Sequence, residues 1–290
     1  MDLASLRYEI GVAAPVIIGV NGYVVFYEDL HFGSPSSDPG KKIAFQFSEN
    51  GENAYLFYGG QSALQAELFE SEDFGASRAD VSIGLYLKST STTNFVEMEN
   101  RTPGAANGNP KVGPIVITEI MYHPVPDGDA EYVELRNISG GSVVLYDSGT
   151  NTGWRFVDDG TASTPDLSFD FPTVSPVTLT AGQRMLLVKN RSVFNSVFDP
   201  SGTIAATGIT ILEWITGSLS NGGEQPQISM PGDLEGGIRQ YIRIDRVSYD
   251  DEAPWPISPD GGGDSLSRVS ESAYGNDVIN WTAATPTPGQ

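Results

Sequence analysis

The sequence predicts an all-β fold, an antiparallel sandwich, from three observations. Glycine and proline are frequent, 33 and 19 of 290 residues, and that much punctuation cuts a chain into short strands and turns. Short runs rich in β-branched and aromatic residues recur between the turns. Segments with helical periodicity are few, while a hydrophobic content of 39% is enough to fill a core.

Taken in order, Gly22-Tyr-Val-Val-Phe-Tyr27 opens on a glycine and reads as a strand. Lys42-Ile-Ala-Phe-Gln-Phe47 alternates polar and apolar residues, Ser48-Glu-Asn-Gly51 supplies an Asn-Gly turn, and Ala54-Tyr-Leu-Phe-Tyr58 follows. That pattern predicts a hairpin. Residues 62–70 have helical composition but lie between strand-like stretches, which favours strand or loop. Residues 81–87 and 95–98 predict two more strands. Residues 115–121 and 131–136 flank the turn-rich His123-Pro-Val-Pro-Asp-Gly-Asp129 and predict a second hairpin. Alternation along its second strand puts Tyr132 and Glu134 on one face, Val133 and Leu135 on the other. Residues 192–198 carry apolar side chains at i, i+3 and i+4, enough for one or two helical turns.

The chain also repeats itself. Ala14-Pro-Val-Ile-Ile-Gly-Val-Asn-Gly22-Tyr-Val-Val-Phe is similar to Ser175-Pro-Val-Thr-Leu-Thr-Ala-Gly182-Gln-Arg-Met-Leu-Leu-Val. Phe47-Ser-Glu-Asn-Gly51-Glu52 is similar to Leu219-Ser-Asn-Gly-Gly223-Glu224, and Thr102-Pro-Gly104 to Thr287-Pro-Gly289. Three matches in the same order predict two tandem domains, 1–110 and 111–290, joined by a Pro/Gly linker near 105–114. The first has no counterpart of the 115–136 hairpin. A sandwich short of two strands exposes sheet edges. The chain is therefore expected to start inside a domain of a longer protein. Its first copy is expected to recover the missing edge from a neighbour or to leave it uncovered.

At these residues a family resemblance emerges. Ile115-Val-Ile-Thr-Glu-Ile-Met-Tyr-His-Pro124, followed by Glu131-Tyr-Val-Glu-Leu-Arg-Asn137, resembles the opening hairpin of bacterial lamin-tail domains. Val247-Ser-Tyr-Asp-Asp-Glu-Ala-Pro-Trp255-Pro and Asp260-Gly-Gly-Gly-Asp-Ser-Leu-Ser-Arg268 resemble the late strands of that family, and Asn280-Trp281 with the final Thr-Pro-Gly its last segment. In the first copy, Asp73-Phe-Gly-Ala-Ser77 and the stretch from Phe95-Val to Thr102-Pro-Gly-Ala-Ala-Asn107 resemble the same late region. The resemblance covers nearly all of 111–290 and the latter two-thirds of a domain in 1–110. It implies immunoglobulin-like β-sandwiches serving as accessory modules of large exported or cell-surface proteins. Nuclear lamin tails contact chromatin, but the net charge of -21 departs from any DNA-binding version.

Charge and composition exclude more than they identify. Lysine and arginine number 6 against 14 acidic residues over 1–110, and 10 against 23 over 111–290. A surface this acidic repels phosphate backbones, so no nucleic-acid partner is expected. The absence of cysteine removes disulfides, thiolate nucleophiles and zinc-thiolate sites. His31 and His123 are the only imidazoles. The longest apolar run, near 13–20, is too short to span a bilayer, so no membrane insertion is expected. Met1-Asp-Leu3 shows no basic region ahead of an apolar one, so no signal peptide is expected in this chain.

Three acidic loops offer oxygen ligands for calcium: Asp127-Gly-Asp129, Asp250-Asp251-Glu252 and Asp260-Gly-Gly-Gly-Asp264. Asp250, Asp251, Glu252, Asp260 and Asp264 are the best ion candidates, although Asp-Gly is also ordinary turn chemistry. Glu131 with Glu134, or Glu119 with Glu134, would be the carboxylate pairs of a glycosidase. Alternation puts Glu131 and Glu134 on opposite faces, which favours cross-strand pairing of Glu119 or Glu134 with Arg136, Arg155 or Arg268. No nucleophile elbow, phosphate-cradling loop or His-Glu-x-x-His occurs. His123 reads as a turn residue. Trp255 and Trp281 read as packing residues, whereas Trp154 and Trp214 are candidates for an exposed platform that stacks on sugars. The expected function is a non-catalytic interaction or spacer module that binds protein or a cell-surface polymer. The alternative is a calcium-dependent or carbohydrate-binding adhesion module.

Overall fold

A computed structural model describes residues 7–12, 14–58, 67–158, 166–214 and 217–290. It divides into two compact units, Met1–Tyr86 with Asn94–Pro110, and Leu87–Thr93 with Lys111–Gln290. Strands dominate and helices are short, so the fold class is all-β.

The first unit contains one hairpin and most of a second, whose end, 87–93, belongs to the second unit. Strand β1 (Gly51–Tyr58) pairs antiparallel with β2 (Glu67–Gly75), and β3 (Ile83–Leu87) pairs with β4 (Thr93–Glu97). The strands expected over 81–87 and 95–98 are these last two. Residues 22–27 and 42–47 form no strand, and β1 takes its partner from β2 instead. The bonding of residues 48–52 explains the change. Ser48 N donates to the Glu52 carboxylate, Asn50 N to Ser48 Oγ at 3.1 Å, and Ser77 N to Glu49 O at 3.0 Å. The segment is tied to the end of β2, so it cannot close a hairpin backwards. Of the 62–70 segment, 62–66 lie outside the described residues and 67–70 belong to β2. The core is thin: Phe32, Val96 and Met98 are the buried apolar residues among those described. An aromatic ladder of Phe45, Phe32, Phe47, Phe74 and Phe95 supplements it, opening with a stacked pair at 4.6 Å.

The second unit is a two-sheet sandwich. Its main elements are β5 (Ile115–Met121), β6 (Tyr132–Asn137), β7 (Arg155–Val157), β8 (Ser168–Asp170), β9 (Arg184–Val188), α1 (Arg191–Phe198), α2 (Thr203–Ala206), β10 (Thr210–Glu213), β11 (Gln227–Glu235), β12 (Ile238–Arg246), β13 (Ser265–Arg268) and β14 (Trp281–Ala284). One sheet runs β10-β9-β6-β5-β13-β14 and the other β8-β7-β11-β12. All these pairs are antiparallel except β9 with β10, which the two short helices connect as a crossover. Ile117, Val133, Leu135, Met185, Leu187 and Leu266 meet Phe156, Ile228 and Ile244 between the sheets. On the outer face of the larger sheet, Tyr132, Met121, Leu186 and Val188 pack under Phe194 of α1. Because both faces are covered, β5 is buried along its whole length, which explains its almost unbroken apolar sequence. Asn190 caps α1, its side chain accepting from the N–H groups of Ser192 and Val193.

The repeated segments adopt the same turns in each unit. Gly22 N donates to Gly19 O at 2.8 Å and Gln183 N to Thr180 O at 3.0 Å, with Asn21 (φ 57°) and Gly182 (φ 77°) both left-handed. Ser220 N donates to the Glu224 side chain at 2.9 Å, as Ser48 does to Glu52, and Gly51 (φ 99°) and Gly223 (φ 104°) correspond. Ala105 N donates to Thr102 O and Gln290 N to Thr287 O, both at 3.1 Å, with Gly104 and Gly289 again left-handed. At Gly51 and Gly223 a side chain would also meet backbone: an added Cβ would lie 2.4 Å from Phe74 O and 2.9 Å from Tyr249 O.

Candidate functional site

Among the described residues, the five acidic residues offered for calcium form no group arranged to hold a metal. Asp250 Oδ1 accepts from Glu252 N at 3.0 Å within its own turn. Asp260 meets His123 Nδ1 at 2.6 Å, and Asp264 accepts from Ser258 Oγ at 2.6 Å. Asp127 accepts from Asp129 N, while Asp129 pairs with Lys189 at 2.9 Å. Among the described residues, no group of three or more His, Asp or Glu side chains is arranged to hold a metal. Asp250, Asp251, Glu252, Asp260 and Asp264 thus form no shared cage: Asp250 is used in its own turn, while Asp260 and Asp264 bind His123 and Ser258.

The sugar-stacking candidates are corrected more sharply. Trp154 is 6% exposed and Trp214 3%, and both lie in the core between the sheets. Strand alternation is the reason. Trp154 sits two residues before Phe156, and Trp214 two residues after Leu212, each pair facing the same interior. Trp214 also donates Nε1–H to Gly217 O at 3.4 Å. Trp281 is buried in the same core, with Trp255 packed against it.

Among the described residues of the second unit, three buried polar networks gather most of the candidate residues. The first lies on β5, β6 and the last residues. A bulge at Thr118 breaks the alternation of β5 and sets Glu119 directly opposite Glu134. Glu119 Oε1 accepts from Ser265 Oγ at 2.5 Å and Thr287 N at 2.9 Å. Glu134 accepts from Thr118 Oγ1 at 2.6 Å, from Arg184, and from Gly289 N at 2.8 Å. Burial raises the Glu134 carboxyl above the ordinary range against these donors, and the Glu119 charge adds to the rise. Two facing carboxylates therefore clamp the Thr-Pro-Gly turn onto the sheet.

The second network crosses the sandwich. Arg268, its side chain fully buried, donates Nη1–H to Asp245 Oδ2 at 2.6 Å and to Ile117 O at 2.9 Å, and Nη2–H to Ala273 O at 2.6 Å. Asp245 Oδ2 also accepts from Ile117 N at 2.9 Å. Gly275 covers the pair, and an added Cβ there would lie 2.7 Å from Asp245 Oδ1. The third network holds Glu131, which accepts from Leu219 N at 2.7 Å and Lys189 Nζ at 3.1 Å. Burial pushes its carboxyl up to about 7, against the pull of that N–H and of Lys189. Burial works against the Lys189 charge too, yet Asp129 and Glu131 together raise it.

The cross-strand partners expected from sequence are thus redistributed. Glu134 takes Arg184, Arg268 takes Asp245, Arg155 takes Asp170 and Arg136 takes Glu271. Glu131 and Glu134 serve separate networks, as their alternation requires. Nothing in the spacing of Asp245 marks it as a partner of Arg268; only the approach of β12 to β5 and β13 creates the pair. No helix among the described residues is long and apolar enough to cross a membrane. Compared with known proteins, the chain matches no family model and no curated protein.

Proposed function

We propose that the chain is a non-catalytic structural and interaction module of the lamin-tail type, carried by a larger exported or cell-surface protein and presenting its acidic exterior to a protein or polymer partner. One observation carries this reading: Glu119, Glu131, Glu134, Asp245 and Arg268, five buried charged groups of the second unit, each bind at least one backbone atom. Groups engaged in this way fix strand register and anchor the last turn. A reacting group has to face a space where substrate can sit. The hairpin and late-strand motifs that resemble lamin-tail domains support the family setting. The inward turn of Trp154 and Trp214 favours the spacer over the carbohydrate-binding alternative.

The test is a glycan array run in calcium and in chelator, together with melting of the full chain under both conditions. No glycan retained and equal melting temperatures are expected. A glycan bound, or a melting temperature raised by calcium, would replace the spacer with an adhesion module, because a ligand selective for the native state raises stability.

A further inference from the structure

Lys189, Asp129 and Glu131 are arranged for bond formation as well as for charge pairing. Lys189 follows β9 directly and Glu131 directly precedes β6, and Lys189 N donates to Glu131 O at 3.0 Å. That backbone bond sets both side chains at adjoining strand ends. Lys189 Nζ lies 2.9 Å from Asp129 Oδ1 and 3.1 Å from Glu131 Oε1. The Glu131 side chain is 5% exposed and that of Lys189 19%, whereas Asp129 is 56% exposed. Both neighbours of the amine are held in place. Leu219 N donates to Glu131 Oε2 at 2.7 Å, which leaves Oε1 to Lys189. Asp129 sits in the helical turn Gly128–Ala130, its N–H donating to Asp127 Oδ1 at 3.0 Å. An amine, a second carboxylate and a buried acid thus meet within hydrogen-bond reach. The other two buried networks pair carboxylates with Arg184 and Arg268, whose guanidinium groups do not give up a proton.

From this geometry we infer that Lys189 and Asp129 condense to an isopeptide bond within the folded chain, with Glu131 moving the protons. A lysine amine is a nucleophile once it has lost a proton. Glu131 takes one proton from the Lys189 ammonium, and the freed Nζ attacks Asp129 Cγ. Glu131 then hands that proton to an Asp129 oxygen. A second proton leaves Nζ by the same route, the bond from Cγ to that oxygen breaks, and the oxygen departs as water. The Nζ–Cγ amide bond is formed, Glu131 ends as it began, and the atoms balance with no co-reactant. The half-exposed position of Asp129 gives the water a way out. Holding amine and carboxylate in contact supplies the effective concentration that the two groups lack when free in water. Burial lowers the Lys189 ammonium, but Asp129 and Glu131 raise it and prevail. The ammonium is therefore the resting form, and bond formation is slow. Burial lifts the Glu131 carboxyl to about 7, where it both accepts and returns a proton near neutral pH. The product is a covalent staple between the ends of β6 and β9, neighbours in the larger sheet. Such a bond stands apart from the interaction role proposed above, because both reacting groups belong to one chain and no substrate is turned over.

The test is the intact mass of the full chain, denatured at matched times after expression and storage at neutral pH, with a protease digest to place any bond. A mass one water below that of the sequence is expected, with the peptides containing Asp129 and Lys189 joined. Glu131→Gln keeps an acceptor for Leu219 N and is expected to slow the loss of water at least about a hundredfold, the lower end of what a positioned acid–base group contributes. Asp129→Ala, at an exposed position, is expected to fold, as read by circular dichroism, and to keep its full sequence mass. A parent chain that stays at the sequence mass overturns the inference. So does a water lost at Asp127-Gly128 instead, where ring closure by the Gly128 N–H gives the same mass. A bond between Asp129 and Lys189 that Glu131→Gln forms at the parent's rate overturns the part given to Glu131.

Discussion

At the scale of single residues, the second unit is stabilised by a few buried charges with narrow tolerances. Arg268→Met removes the charged partner of the buried Asp245 carboxylate, which keeps the Ile117 N–H as a donor. A loss of about 3–5 kcal/mol in urea unfolding is expected, because an uncompensated buried charge is costly. Replacing both partners by apolar residues should cost less than Arg268→Met alone. Glu131 gives the clearest pH dependence. Its carboxyl titrates at an ordinary 4.5 when unfolded and about 7 when folded, so the native state holds the proton more tightly. Stability therefore falls as pH rises from about 4.5 to about 7, by about 3 kcal/mol from this group. Glu131→Gln keeps an acceptor for Leu219 N and removes the titration. Its urea midpoint should change less between pH 5 and pH 7 than that of the parent chain, and an unchanged pH dependence would show that Glu131 is not the source. Neither group was assigned this role from sequence: Arg268 was legible as a pairing residue, but its partner depends on which strand crosses beneath it.

Elements were read best where their pattern was local. The hairpin over 115–136 emerges as β5 and β6, and the short helix as α1, because alternation, turn chemistry and the Asn190 cap all act within a few residues. The strands expected at 22–27 and 42–47 fail for the converse reason. Their composition favours a strand, yet a strand needs a neighbour, and none of the described residues supplies one. Trp154 and Trp214 are inside because each lies two residues from a core side chain on the same face. The outer core under α1 makes a further expectation at this scale. Phe194 is fully buried and meets Tyr132 edge to face at 5.6 Å. Phe194→Ala should cost about 3–5 kcal/mol and loosen the β9–α1–β10 crossover, detectable as faster amide exchange in 191–213 with β11 and β12 unaffected.

Across the whole molecule, one repeat has two outcomes. The turns at 19–22, 48–52 and 102–105 fold as their counterparts at 180–183, 220–224 and 287–290 do. Local sequence therefore sets the bends in both units, while burial differs between them. The second unit buries 33 apolar residues and the first three, among those described. The acidic character is common to both, so charge does not separate them. Amide hydrogen exchange on the full chain compares the two copies directly. Residues 177–188 should exchange orders of magnitude more slowly than residues 16–27, the former near the limit set by global unfolding and the latter close to the rate of an open chain. Equal protection of the two segments would contradict the account, in which the same turn is followed by a buried strand in the second unit and by exposed backbone that pairs with no strand in the first.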